Sequence, residues 1–442
     1  MQSETIENFL NTRLSNYSSY DNLRKIASYI DGLKNASRKV LYTIHEKKIK
    51  DTEKVSRLAS KCSEYSDYLH GDGLWKVIVT LGQDFAGTNN IPLIQKFGAF
   101  GCRSNNEPGA PRYIHASGSK AFFEIFKYED DPVLISQTFE GTKIEPRFYV
   151  PTIPIILVNG SEGVSSGFAQ KILPRNPKSI IKYIQNILQG KSVRKDWLMP
   201  FCNGFNGEIE ALEPLKYNIK GVISINKNII EILEVPFTYD LSGYLKVLDT
   251  LEESKVIQSY EDLSDGDNVL RFKVKVSKDF DFKNALKILK LEKPITENYT
   301  TIDENNKIKV FNDCSEIINS FIKVKLQYTQ KRKDYLIREL QELISVLNSK
   351  VIFISKVVSK KLKVSNVPKS EIVLNLEKIK DIVKVQDSYD YLLKMPIYTL
   401  TLEKIQELNT LLSEKTNELK TLESKSPQQI WLEELNEIQR II

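Results

Sequence analysis

The segment Ala110-Pro111-Arg112-Tyr113 contains residue types that can attack a phosphodiester. A tyrosine phenol has a pKa of about 10 and is a weak nucleophile at neutral pH. The neighbouring arginine favours the phenolate and can also hold a phosphate oxygen. Because proline and glycine surround the pair, we predict a turn rather than the middle of a helix. A phosphotyrosine ester at Tyr113 would conserve the energy of the broken bond, so the cut strand could be rejoined without a cofactor.

A basic segment lies at residues 31–39, DGLKNASRK. Lys34 and Arg38 are four positions apart, so on a helix they share one face. Two cations on one face suit a run of phosphates, and Lys39 adds a third positive charge. We therefore take Lys34, Arg38 and Lys39 as candidate phosphate-binding residues. The alternative is a solvated basic face, which is the commoner origin of such a pattern when it is seen alone.

Two glycine-rich segments carry further candidates. His70 lies in YLHGD at 68–72, where an imidazole could bond a phosphate or the leaving oxygen at a cleavage site. Val164 lies in VSSG at 164–167, and a β-branched side chain on such a loop can act as a wedge between base pairs. A lone histidine is more often structural, and a valine is more often part of a core. Both interpretations therefore stay open.

The composition is that of an ordinary globular protein and excludes several kinds of site. Hydrophobic residues make up 41% and charged residues 27% of the 442 residues, and the net charge of +6 is only mildly basic. The length allows two or three domains of about 100–200 residues each. Four widely spaced cysteines without a CxxC motif, and three scattered histidines, predict neither a disulfide framework nor a protein-built metal site.

Targeting and nucleotide-binding motifs are equally sparse. The N-terminal segment MQSETIENFL has neither the basic nor the apolar region of a signal peptide. No apolar run reaches about 18 residues, so no membrane span is expected. No GxxxxGK followed by Ser or Thr occurs, so no P-loop is predicted. We expect a cytoplasmic protein and, if its reaction uses ATP, another chain that binds the nucleotide.

Three kinds of segment must position the candidate residues. Residues 1–145 combine helical apolar spacing with turns such as GAFG and PGAP, which predicts a helical domain with a β-wing. Residues 205–310 alternate short apolar strands with turns, which predicts a separate α/β region. Residues 315–442 carry leucines at four- and three-residue spacing, which predicts two antiparallel coiled-coil arms. Pro368 and Pro396 bracket a helical head between the arms.

In this order the motifs resemble the breakage-reunion region of type IIA DNA topoisomerases. That family includes gyrase, topoisomerase IV, eukaryotic topoisomerase II and the split-subunit enzymes of large tailed phages. The similarity extends from near Arg24 to the C-terminus. Its landmarks are DGLK, RKVLY, HGD, FGAFG and APRYI, with EPRFYVPTIPIILVNGSEGVSSGF at 145–168 as the most specific. The late segment MPIYTLTLEKIQEL is similar to the family's return into its coiled-coil arm.

The resemblance implies a mixed α/β fold that is mainly helical. It implies a winged-helix DNA-cleavage domain at 1–145, an α/β tower domain at 146–314, and an antiparallel coiled-coil arm with a helical C-gate head at 315–442. Tyr113 is implied as the tyrosine that links to the DNA 5′-phosphate. Arg112 is implied as the partner that stabilises the developing phosphorane charge.

The resemblance also assigns the remaining candidates. Arg24, Lys34 and His70 match family groups near the scissile phosphate, and Arg38 and Lys39 become candidate DNA-binding residues beside them. Val164 falls where the family usually has an intercalating isoleucine. Because valine is shorter by a methylene, its wedge is expected to be weaker.

Several departures from the family pattern predict a divergent branch of the bacteriophage type. Asn35 replaces the proline that usually follows the lysine of DGLK. Tyr68 stands where gyrase-like members have the first of two histidines. The GAFG loop lacks the usual Gln-Gly-Asn sequence. None of these changes removes Tyr113 or Arg112.

The sequence lacks the Toprim-type acidic motif, an ATPase domain and a gyrase-type DNA-wrapping domain. The resemblance therefore implies one subunit of a split enzyme that acts on double-stranded DNA as a homodimer. A large ATPase/Toprim subunit would hold Mg²⁺ and ATP, and no metal ligand is assigned to this chain. The expected activity is ATP-dependent strand passage and DNA relaxation.

Two other functions remain open at this point. A coiled-coil protein that bridges DNA would account for the arms and the mild basicity, but not for Arg112-Tyr113 in register with the other motifs. A recombinase or nicking enzyme with a tyrosine nucleophile would be expected to carry a different arginine and histidine set and no paired arms.

Overall fold

The structure is a computed structural model in which residues 5–68 and 71–442 are described, Asp72 by its backbone alone. The chain divides into two compact units. Unit 1 comprises the chain up to Leu326 together with Trp431–Ile442, and unit 2 comprises Gln327–Ile430. The fold is mixed α/β, as the sequence predicts.

The helices are α1 Ile6–Phe9, α2 Ser15–Lys25, α3 Asn35–Glu46, α4 Val55–Ser66, α5 Leu74–Gly82, α6 Lys120–Ile125, α7 Ile155–Val158, α8 Pro177–Leu188, α9 Leu241–Glu253, α10 Ala285–Ile288, α11 Cys314–Val358, α12 Lys369–Glu377, α13 Asp390–Leu393, α14 Leu402–Ser424 and α15 Pro427–Gln439. The strands are β1 Glu53–Lys54, β2 Ile94–Phe97, β3 His115–Gly118, β4 Gln137–Phe139, β5 Thr142–Ile144, β6 Ser161–Ser165, β7 Phe168–Ile172, β8 Glu208–Glu213, β9 Lys216–Lys220, β10 Val222–Asn226, β11 Ile229–Glu234, β12 Ser259–Asp262, β13 Phe272–Lys275, β14 Glu292–Thr296, β15 Tyr299–Ile302 and β16 Ile308–Phe311.

Three helices and a small sheet form the first part of unit 1. Helix α3 buries Val40, Leu41 and Ile44, which recur at helical spacing in the sequence. Helices α4 and α5 follow, and β3 lies between β1 and β2 in an antiparallel sheet. The connection from β2 to β3 is the segment 98–114 that carries the candidate tyrosine.

The second part of unit 1 is built on antiparallel sheets. The order β10-β11-β13-β12 forms one sheet, and β14-β9-β8 forms another. Helix α9 buries Tyr244 and Leu248 against Phe272 and other residues of the first sheet. Strands β6 and β7 form a separate hairpin, as do β15 and β16. The prediction of a strand-rich region between residues 205 and 310 is confirmed.

Unit 2 contains its own apolar core, in which Leu347 of α11 and Leu408 of α14 are both buried. Lys333 of α11 donates to the carbonyl oxygens of Glu423 and Lys425 at 2.9 and 2.6 Å. The coiled-coil arm and the domain boundaries at residues 145 and 314 remain predictions. None of the described helices combines the length and apolar character needed to cross a lipid bilayer.

Trp431 fixes the returning helix α15 within unit 1. Its side chain is completely buried, and its indole N–H donates to the carbonyl oxygen of Thr152 at 2.9 Å. The Phe321 ring packs edge-on against it. Nearby, the fully buried Lys325 lies 3.6 Å from the carboxylate of Asp130. The end of the chain is thereby held by both apolar and polar contacts.

Replacing Trp431 by alanine should lower the free energy of unfolding by about 3–5 kcal/mol, because it leaves a large cavity in the core. Denaturant unfolding followed by circular dichroism measures this. Trp197→Ala is the control, since Trp197 is only half-buried and contacts the Lys182 ammonium at 4.4 Å from its ring centre. Equal losses in the two variants would contradict the structural role of Trp431.

Candidate active site

The loop 98–114 presents Tyr113 to solvent. The Tyr113 side chain is 71% exposed, whereas the next residue, Ile114, is buried. The backbone N–H of Tyr113 donates to the carbonyl oxygen of Ala110 at 2.9 Å and closes a turn. The Arg112 guanidinium carbon lies 4.9 Å from the centre of the Tyr113 ring. The phenol is therefore accessible to a large substrate and lies beside a positive charge.

Glycine at position 98 allows this loop to fold closely over Ile114. Gly98 has a φ of +93°, a conformation that residues with a side chain rarely adopt. A Cβ atom there would lie 3.2 Å from the Cγ2 atom of Ile114. Because Ile114 points into the protein, the preceding Tyr113 lies on the outer side of the turn.

The first turn of α4 fixes the loop on both sides of Tyr113. The N–H of Val55 donates to the carbonyl oxygen of Ile114, and the N–H of Ser56 donates to that of Pro111, both at 3.0 Å. The first N–H groups of a helix have no acceptors within the helix itself, so the loop supplies them. The positive end of the α4 dipole consequently lies beside Tyr113, where it favours negative charge.

Lys34 lies at the start of α3 and contacts β6. Its ammonium donates to the carbonyl oxygen of Glu162 at 2.6 Å. Burial lowers the pKa of Lys34, and the Glu162 carboxylate opposes this shift. The next residue, Gly163, has no room for a side chain, because a Cβ atom would lie 2.1 Å from the carbonyl oxygen of Lys25. The strand thereby packs directly on the end of α2.

Arg24 and Val164 complete this second group of candidates. Arg24 lies in the last turn of α2, with its guanidinium over the Tyr20 ring at 5.5 Å. Val164 pairs with Ala169 in the β6–β7 hairpin and is 72% exposed. The structure therefore brings the elements that carry Arg24, Lys34 and Val164 together where α2, α3 and β6 meet.

Arg38 and Lys39 do not lie on an exposed basic face. Arg38 donates to both carboxylate oxygens of the fully buried Asp31, at 2.7 and 3.1 Å. Lys39 is buried, with its ammonium 2.9 Å from the Glu145 carboxylate and 2.8 Å from the carbonyl oxygen of Ser66. Both cations turn inward because each has a buried carboxylate within reach. These contacts favour a structural role for both, and their DNA-binding role is untested.

Two further residues hold the candidate groups in place: Arg103, which no motif marks, and Asp31, the first residue of DGLK. Arg103, within the Tyr113 loop, is buried and pairs with Glu234 at 2.5 Å. Asp31 also accepts the backbone N–H of Tyr149 at 3.1 Å. The partner of each lies more than a hundred positions away, so sequence spacing could not find it.

The predicted His70 lies outside the described residues. Among the residues that are described, no group of three or more His, Cys, Asp or Glu side chains could hold a metal ion. Mg²⁺ prefers several oxygen ligands, including carboxylates, in octahedral geometry. The described side chains therefore do not fit a magnesium site. The expectation that a partner holds this ion is untested.

Comparison with known proteins shows the family of this chain. The family model that describes the A subunits of DNA gyrase and topoisomerase IV matches residues 24–436. The chain belongs to this family. A crystal structure of the DNA-binding, cleavage and re-ligation domain of Plasmodium falciparum topoisomerase II is similar, with a TM-score of 0.89 and 32% identity, over 98% of this chain and 64% of that one. The resemblance found in the motifs is confirmed.

Similar relatives are considerably longer. DNA topoisomerase 2 of Saccharomyces cerevisiae is 35% identical over 388 residues, which cover 85% of this chain and 27% of the yeast protein. Mitochondrial DNA topoisomerase 2 of Dictyostelium discoideum is 31% identical over 455 residues, which cover 99% of this chain and 35% of that protein. The chain thus spans about a third or less of the length of these relatives.

The salt dependence of DNA binding distinguishes Arg38, which pairs with a buried carboxylate, from Lys34, which is expected to contact a phosphate. Arg38→Gln should leave the slope of log K against log salt concentration unchanged, while breaking the buried pair lowers the free energy of unfolding by about 3–5 kcal/mol. Lys34→Gln is the matched comparison, and losing one phosphate contact should reduce the slope by about 0.9. Fluorescence anisotropy with a short duplex gives both slopes. An equal slope change for Arg38→Gln would make it a DNA ligand.

Proposed function

We propose that this chain is the DNA cleavage and religation subunit of an ATP-dependent type IIA topoisomerase, with Tyr113 as its nucleophile. The observation that carries this proposal is the exposed Tyr113, which lies beside Arg112 on a loop fixed to the start of α4. The similar proteins are DNA topoisomerases, and the similar structure is a DNA-cleavage and re-ligation domain.

In the proposed reaction the Tyr113 oxygen attacks the phosphorus of a DNA phosphodiester. The phenol loses its proton, a P–O bond to the tyrosine forms, and the 3′-oxygen leaves as a hydroxyl after taking up a proton. Arg112 and the N-terminus of α4 stabilise the negative charge on the phosphorane. The resulting 5′-phosphotyrosyl ester keeps the bond energy, so religation is the reverse reaction.

The surrounding elements would hold and deform the DNA. Helices α3 to α5 with the sheet β1-β3-β2 form the proposed winged helix, whose wing is the loop 98–114. Arg24, Lys34 and the untested His70 would contact phosphates near the cleaved bond. The β6–β7 hairpin would insert Val164 between base pairs, since this side chain is exposed and β-branched. Cleavage of both strands would open a gate for a second duplex.

A large ATPase/Toprim subunit is proposed to supply ATP hydrolysis and Mg²⁺. A candidate contact surface for it is the apolar stripe of the N-terminal helical segment, which leads into α2 and Arg24. Its exposed members recur at helical spacing: Ile6, Phe9, Leu10, Leu14 and Tyr17. An uncovered apolar stripe favours burial against a second apolar surface.

Two copies are proposed to pair through the head of unit 2, which would form the exit gate. Ile397, Tyr398 and Leu402 are 86%, 81% and 64% exposed and lie close together in the chain. Exposed apolar residues clustered in this way are typical of a protein–protein contact.

Charged substitutions in this cluster should weaken pairing. Ile397→Asp with Tyr398→Asp should raise the dimer dissociation constant at least about tenfold, since each would bring a charge into an apolar interface. Sedimentation velocity measures the distribution of monomer and dimer. Val310→Asp is the control, because Val310 is 62% exposed on β16 of unit 1. If the double variant dimerises as the control does, this cluster is not the pairing surface.

Replacing Tyr113 by phenylalanine should abolish protein-linked DNA, because the attacking oxygen is removed. DNA affinity should stay within about twofold, since the ring and Arg112 remain. Plasmid relaxation, which changes the linking number in steps of two, should be lost as well. It is measured with the partner subunit, Mg²⁺ and ATP. Tyr335→Phe, at a partly exposed tyrosine of α11, should relax DNA normally. A covalent adduct in the Tyr113→Phe protein would rule out Tyr113 as the nucleophile.

A further inference from the structure

A buried polar node lies at the root of the β6–β7 hairpin. Arg175, Glu297 and Tyr299 are each at most 2% exposed. Arg175 donates to both carboxylate oxygens of Glu297 at 2.6 Å and to the Tyr299 hydroxyl at 2.8 Å. Its other donors reach the carbonyl oxygens of Leu173 and Leu198. All five N–H groups of this guanidinium therefore have an acceptor.

Glu297 and its neighbour Asn298 hold the base of the hairpin. The backbone N–H of Leu173, directly after β7, donates to the Glu297 carboxylate at 2.6 Å. Lys171 and Asn298 exchange two backbone hydrogen bonds at 3.0 and 2.8 Å. Since β7 pairs in register with β6, these contacts set the position of Val164.

The other end of the hairpin is also held. Ser166, in its turn, donates through its N–H and its hydroxyl to the Asp21 carboxylate at 2.9 and 3.1 Å. Val164 and Phe168 stay exposed between these two attachments, at 72% and 40%. A hairpin fixed at its root and at its turn can direct exposed apolar side chains at a substrate with little loss of entropy on binding.

The Tyr299 hydroxyl links this node to the long helix α11. It lies 3.0 Å from the sulfur of Cys314, the first residue of α11, and donates to the Glu297 carboxylate. Burial raises the pKa of the Cys314 thiol to about 11, so the sulfur stays protonated at neutral pH. One hydroxyl oxygen thus contacts the helix, the carboxylate and Arg175.

We propose that Tyr299 is a positioning residue that couples the base of α11 to the DNA-bending hairpin. A tyrosine that only filled space would need its ring but not its hydroxyl. The hydroxyl of Tyr299 instead has three polar contacts, which lie on separate segments. A displacement of the base of α11 relative to the hairpin must break at least one of them. The coupling rests on the proposed function, because it assigns the node a part in bending DNA.

Tyr299→Phe tests the coupling, because it removes the hydroxyl and leaves the ring and the Arg175–Glu297 pair. The bent population of a short duplex, measured by energy transfer between end labels, should fall about fivefold, the effect of one ordinary hydrogen bond. DNA affinity should change by less than about twofold. Tyr244→Phe is the matched control, since Tyr244 is fully buried and donates to the Leu289 carbonyl at 3.0 Å, away from the node.

A double-variant cycle tests the link to α11 itself. Cys314→Ala removes the sulfur that contacts the hydroxyl, so alone it should reduce bending in the same direction as Tyr299→Phe. The double variant should bend DNA no less than Tyr299→Phe does, because both changes break the same contact between the hydroxyl and the sulfur. Additive effects would overturn the proposed link between the hydroxyl and the helix.

Val164→Ala separates a failure of this inference from a failure of the proposed function. If the unaltered protein bends DNA and Val164→Ala reduces bending, the hairpin has its proposed role. If the Tyr299→Phe protein then bends DNA to the same extent as the Tyr244→Phe protein, the coupling alone is overturned. An unaltered protein that binds the duplex without bending it would overturn the hairpin's role and the coupling together.

Discussion

Buried cation–carboxylate pairs fix the segments of unit 1 relative to one another. Four of these pairs are Asp31–Arg38, Lys39–Glu145, Arg103–Glu234 and Arg175–Glu297. In three of them the partners are more than one hundred positions apart in the chain. A buried charge that loses its partner is costly, so the loops that carry these residues cannot separate without losing stability. These pairs hold the segments that carry Lys34, Tyr113 and Val164.

The residues proposed to meet DNA have the opposite environment. Tyr113 and Val164 are largely exposed, but each is carried by backbone that is fixed on both sides. This arrangement suits a reaction in which the substrate is large and the attacking atom must be placed accurately. The neighbouring Arg112 and the end of α4 provide positive charge without closing the site. Rigid support behind an accessible surface is thus the common feature of both candidate groups.

The sequence predicted the family, the mixed α/β class and the Tyr113 turn, because these depend on local residue types in a fixed order. It did not predict that Arg38 and Lys39 turn inward, since helical spacing shows which residues share a face but not what covers that face. The pair Arg103–Glu234 and the contacts of Tyr299 could not be predicted from the sequence either. Their partners are brought together only by the folded chain, and a single sequence carries no mark of such contacts.

The most direct test of this account is to identify the residue that becomes joined to DNA. The protein, a partner with the ATPase and metal-binding activities, Mg²⁺ and supercoiled plasmid are mixed and denatured rapidly with detergent. Protease digestion and mass spectrometry then locate the nucleotide-bearing peptide. The account predicts linear DNA whose 5′ ends carry a peptide containing Tyr113. Attachment at another residue, or at 3′ ends, would contradict it, as would bound plasmid with no protein-linked DNA.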